Sequence, residues 1–113
     1  MADNAKSYLQ ELVSINRYNL VAIGYQKLTV AGTAVSLTVP STARYALITL
    51  ESNIATPAVR YLELGGITLP TATDGLQRSN LDAWDVTGHQ NLINFRAIQV
   101  GAGTHTLHIQ YYK

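Results

Sequence analysis

The chain has 113 residues, eight Lys and Arg against seven Asp and Glu, and no cysteine. That length suits one domain able to bury roughly two-thirds of its unfolded surface. A net charge of +1, with the basic residues scattered and in no run, argues against a nucleic-acid partner, and the missing cysteines exclude disulfides and thiolate metal sites.

The N-terminus, Met1 to Lys6, lacks the basic-then-apolar layout of a signal peptide. No apolar run approaches the length of a membrane span, so the sequence implies no membrane partner and synthesis in a cytoplasm. Over residues 3–15 apolar side chains recur at Ala5, Tyr8, Leu9, Leu12 and Val13, the spacing of a helix with one apolar stripe. Asp3 or Asn4 can cap its start. About three turns do not persist alone in water, so the stripe is expected to dock on this domain or on a neighbouring molecule. Residues 16–24, with Leu20, Val21 and Ile23, read as a first strand or an extended arm.

From Tyr25 the apolar period changes to two. Leu28 and Val30 alternate with Lys27 and Thr29, Ala31 to Ala34 make a turn, and Val35, Leu37 and Val39 alternate until Pro40 ends the strand. Arg44 to Ser52 is a long strand with Ala46, Ile48 and Leu50 on one face, and Ala58 to Leu64 is another, closed by Gly65-Gly66. Ile67 to Asp82 is the least regular region and reads as loop, before a short strand at Ala83 to Val86. Leu92 to Val100 and His105 to Tyr112, joined by Gly101 to Thr104, read as a closing hairpin. In its second strand Leu107 and Ile109 mark the core face, whereas Thr106, His108, Gln110 and Tyr112 form an outward row.

Some seven or eight short strands at turn spacings near ten residues make an antiparallel β-sandwich, jelly-roll-like, with a short N-terminal helix or arm. The division expected is an arm over residues 1–24 and a sandwich over residues 25–113. Only 13% of residues are charged, about half the usual share. A neutral, Thr-rich surface is poorly protected against association, which suits an assembling protein.

Motifs for chemistry are absent. His105 and His108 lie three apart in a strand and point to opposite faces, so they cannot chelate one metal together. His89 stands in a loop. Glu51 and Glu63 could sit on adjacent strands as a glycosidase pair, but Arg44 and Arg60 lie near enough in sequence to make cross-strand ion pairs the better expectation. Asp74, Asp82 and Asp85 lack the ligand spacing of a calcium loop, there is no Gly-x-Ser-x-Gly, and the glycine pairs do not open helices. The sequence therefore implies no enzyme, no metal and no cofactor. Seven tyrosines against one Phe and one Trp suit a surface of half-wet aromatic contacts. Trp84 reads as core, with a sugar platform as the rival reading.

Lys27 to Val30, Val35 to Pro40, Ala43 to Ile48, Val59 to Tyr61, Pro70 to Gly75, Asn94 to Ile98 and Thr106 to Tyr112 follow in an order and spacing that resembles small β-sandwich proteins among the virion genes of tailed bacteriophages. The resemblance spans about residues 25–112 and departs at Leu62 to Gly66, which is more apolar than the acidic Gly turn expected there. It implies a capsid decoration (cement) protein or small head–tail component, located in the virion, assembled as a homo-oligomer with a trimer favoured, and bound to the major capsid or another virion protein. The arm residues Tyr8, Leu9, Leu12, Val13 and Ile15 would then anchor it, together with the outward row Thr106, His108, Gln110 and Tyr112. The alternative is a tail, neck or receptor-contacting sandwich that binds carbohydrate through Trp84.

Overall fold

A computed structural model describes residues 19–113 of the chain. The helix expected over residues 3–15 lies outside the described residues. Eight strands and one short helix follow in order: β1 (Ala22–Val30), β2 (Val35–Ser36), β3 (Tyr45–Ser52), β4 (Val59–Leu62), β5 (Leu76–Arg78), β6 (Ala83–Thr87), α1 (His89–Asn94), β7 (Arg96–Gln99) and β8 (His105–Tyr112). They form two four-stranded antiparallel sheets, sheet A in the order β1-β8-β3-β6 and sheet B in the order β2-β7-β4-β5. Partners nest as β1·β8, β2·β7, β3·β6 and β4·β5, the arrangement of one long hairpin rolled into a jelly roll. The sandwich class and its antiparallel sheets are as the strand pattern implied.

The alternating residues of each strand meet in the middle. Ala46, Ile48, Leu50, Leu107, Ile109 and Tyr111 of sheet A face Val59, Tyr61 and Ala97 of sheet B, with Phe95 and Leu92 beside them, all buried. Full burial of each large apolar side chain contributes about 1.5–3 kcal/mol. The Tyr61 ring stacks on Trp84 at 5.3 Å and on Phe95 at 5.4 Å between centroids. Arg78 of β5 lays its guanidinium over Trp84 at 5.0 Å and Tyr61 at 5.6 Å, closing the β5/β6 side of the sandwich.

The closing hairpin is not a hairpin. β7 pairs with β4 and β2 in sheet B, whereas β8 pairs with β1 and β3 in sheet A. Residues 100–104 therefore arch across the sandwich between sheets. The expected first strand is also shorter, because Leu92 to Asn94 complete α1, where Leu92 N–H bonds to the Gly88 carbonyl at 3.1 Å. A short apolar run does not separate helix from strand by period alone. Three smaller differences follow from short elements. β1 starts at Ala22, ahead of the expected body, and β5 emerges inside the region read as loop. β2 keeps only two paired residues, although Leu37 stays buried and the Thr38 N–H is accepted by Gln26 Oε1 at 3.0 Å.

Candidate assembly surface

The outer face of sheet A is set by strand register. Across the sheet Thr29, Thr106 and Glu51 lie level, then Lys27, His108, Thr49 and Ala83, then Tyr25, Gln110, Leu47 and Asp85, and last Tyr112, Tyr45 and Thr87. The row Thr106, His108, Gln110 and Tyr112 lies on the outer side of β8, with Gln110 exposed, His108 and Tyr112 half-buried and Thr106 buried, and its partners on both sides make it the centre of this face. Tyr45 and Tyr112 meet edge to face at 5.4 Å, and the Tyr45 hydroxyl donates to Asp85 Oδ2 at 3.0 Å. Tyr45, Leu47, Ala83, Trp84 and Asp85 line a shallow groove of about 290 Å³ between β3 and β6.

His108 organises the other half of the face. Glu51 Oε1 lies 3.1 Å from Nε2 and the Tyr25 hydroxyl lies 2.7 Å from Nδ1. A carboxylate can only accept, so in the neutral ring Nε2–H donates to Glu51 and Nδ1 accepts from Tyr25. The Tyr25 and His108 rings also stack, 6.1 Å apart. Tyr25 and Glu51 hold opposite ring nitrogens, so these three side chains cannot share one metal ion.

The other candidate residues separate. Trp84 is only 7% exposed, with Tyr61 stacked on its ring and the Arg78 guanidinium against both, so it stands in the core and offers no open platform for a sugar. Glu51 stands on β3 in sheet A and Glu63 follows β4 in sheet B, so they are not neighbours in a sheet. The expected Arg60 ion pair gives way to backbone contacts: Arg60 donates to the carbonyls of Ala72 at 3.2 Å and Gly75 at 2.8 Å. Burial, and secondarily the Asp85 carboxylate, hold the Glu63 carboxyl above its ordinary range. Asp74 closes a turn with Thr71, Asp82 accepts the Ser79 N–H at 2.7 Å, and among the described residues no three His, Asp or Glu stand together as a metal site. His89 opens α1 and reaches the Ala43 carbonyl at 2.6 Å. His105 is buried in the arch, opposite in face to His108. The arm residues Tyr8, Leu9, Leu12, Val13 and Ile15 lie outside the described residues.

An exposed apolar group was not foreseen. Leu64, Ile67, Leu69, Leu76 and Ile93 are all exposed. Its signal was the run Leu62-Glu63-Leu64-Gly65-Gly66-Ile67, more apolar than a solvated turn requires.

No known protein family and no curated protein matches the chain. Among solved structures, a chain from work describing Bacillus endospore appendages as a family of disulfide-linked pili is similar, with 17% identity, 81% of this chain and 87% of that chain covered, and a TM-score of 0.47. The present chain has no cysteine with which to make such links. The bacteriophage reading is corrected: no family model, of a phage or otherwise, matches the chain. The capsid-decoration role, its tail or receptor alternative, the virion location and the capsid-bound trimer drawn from that resemblance fall with it.

Proposed function

We propose that the chain is a non-enzymatic structural subunit that assembles with copies of itself into an open polymer. The observation that carries this reading is the pair of unpaired edges of sheet A. Among the described residues β1 pairs only with β8 and β6 only with β3, which leaves one side of a nine-residue and of a five-residue strand open. Open strand edges template pairing with another chain. Successive strands of sheet A alternate in direction, so β6 runs opposite to β1. A second copy placed beside the first in the same orientation brings its β6 antiparallel to the free β1. The two edges differ, so the contact is heterologous and repeats rather than closing on itself. The low charge of the chain removes much of the repulsion that would oppose such stacking.

Light scattering coupled to size exclusion, with electron microscopy of the eluted species, tests the reading. Assemblies that lengthen as the concentration of the full chain rises are expected. One monomeric species across the whole accessible concentration range would overturn it.

A further inference from the structure

Five of the eight large apolar side chains exposed among the described residues gather at one end of the sandwich. Leu62 is level with Arg96, directly after α1, and the Gly65 N–H bonds to the Asn94 carbonyl at 2.7 Å, which sets Leu64 beside the helix that carries Ile93. Ile67 is joined to Leu64 by a turn bond of 3.2 Å, and Ile67 itself is 89% exposed. Leu76 is level with Tyr61, and Gly75 packs so closely on Pro70 that an added Cβ would lie 3.3 Å from the Pro70 Cβ, which folds Leu69 back against it. An apolar group of this kind marks an interaction site.

The chain enters at the same end. Val21 and Lys113 exchange backbone hydrogen bonds of 3.0 and 2.9 Å, and the ladder continues from Tyr112 through Arg44 to Gly88 and α1. The described chain therefore begins at the β1 edge of sheet A. The apolar group stands at the opposite side of that end, where β5 lies across the core from β6. In the polymer proposed above, the copy whose β6 adjoins β1 brings its own β5 and apolar group next to the β1 edge at which the described chain begins.

We propose that Leu64, Ile67, Leu69, Leu76 and Ile93 form the docking site for the N-terminal apolar stripe, Tyr8, Leu9, Leu12 and Val13, of the neighbouring copy. The inference rests on the self-assembly reading and adds to it the segment that locks one copy to the next. Stripe and site are different surfaces, so each copy offers one of each and the contact propagates. Apolar side chains at helical spacing laid on an apolar surface are a recurring mode of such recognition.

Two full-length variants test it, Leu9→Asp/Leu12→Asp in the stripe and Ile67→Asp/Leu76→Asp in the site, each checked by circular dichroism for a wild-type fold. Each alone should need about tenfold or more protein to assemble. Mixed, they should form a one-to-one complex, because the intact stripe of one meets the intact site of the other. A labelled peptide of residues 3–15 should bind the stripe variant and not the site variant. Assembly of both variants at the wild-type concentration overturns the docking and leaves the edge pairing standing. A monomeric wild type whose stripe variant still binds the peptide overturns both self-assembly and docking between copies, since the segment then serves its own site. A monomeric wild type with no peptide binding overturns both as well.

Discussion

His105 is the residue that holds the arch between sheets, and its replacement by Phe should show this. The side chain is fully buried, with Nε2 2.9 Å from the Gly101 carbonyl and Nδ1 2.9 Å from Ser52 Oγ. A carbonyl only accepts, so Nε2 carries the proton and Nδ1 takes the Ser52 hydroxyl hydrogen. Ser52 Oγ in turn accepts the Ile54 N–H at 3.2 Å. Phe keeps a ring of similar bulk but removes both bonds and strands the Gly101 carbonyl. Two net hydrogen bonds of about 1 kcal/mol each, with part of a 1–3 kcal/mol desolvation penalty, give a loss of roughly 2–4 kcal/mol. Urea unfolding followed by the fluorescence of Trp84, the one tryptophan in the chain, measures it. A double-mutant cycle with Ser52→Ala should return a coupling of about 1 kcal/mol. A His105→Phe protein within about 0.5 kcal/mol of wild type, or a coupling near zero, would refute the assignment of the arch to this hydrogen-bond chain.

Gly103→Ala should destabilise the same arch by roughly 1–3 kcal/mol, because Gly103 has φ +154° and an added Cβ would lie 2.8 Å from Asn53 Oδ1; chemical denaturation checks it. Leu107, buried between Leu28 and Leu50 on neighbouring strands, should lose about 2–5 kcal/mol on mutation to Ala, whereas Gln110→Ala on the outer face should stay within about 0.5 kcal/mol. Similar losses at both positions in thermal melts would reverse the facing of β8. Burial pushes the Tyr111 phenol up to about 12. The fold thus favours the neutral phenol, a contribution complete below the ordinary phenol range and lost as pH rises towards 12. Absorbance titration should show one late-ionising tyrosine, absent from Tyr111→Phe. Glu63 is held above its ordinary range by burial and then by Asp85, so ionisation costs stability at neutral pH. Glu63→Gln should be more stable than wild type at pH 7, with the advantage fading as pH falls through the carboxylate range.

Facing was legible in the sequence wherever a strand is long enough to alternate. Ala46, Ile48 and Leu50 turn inward and Tyr45 and Leu47 outward, and Leu107 and Ile109 oppose the row Thr106, His108, Gln110 and Tyr112. Side-chain direction follows from a period of two within one strand, whatever the strand pairs with. The outward face of β8 was readable for the same reason. The apolar end was visible only in part, because its residues run from Leu64 to Ile93 in sequence and no single stretch holds them.

Pairing was a different matter. The run from Leu92 to Tyr112 has the composition of a hairpin, yet its strands serve opposite sheets. Alternation says which side chains seek the core, and a core between two sheets accepts them equally from either. Only the tertiary structure chose, through the nesting of β1·β8 and β2·β7 and the burial of His105 at the crossing. The Tyr25, His108 and Glu51 chain depends on the same choice. These residues stand 83 and 57 positions apart, and strand register alone brings them within hydrogen-bond reach. Local sequence determines which way each side chain faces, because that depends on neighbours along one strand. Which strands lie side by side depends on how distant segments fill one core together, so the outer face of sheet A and its free edges were settled there.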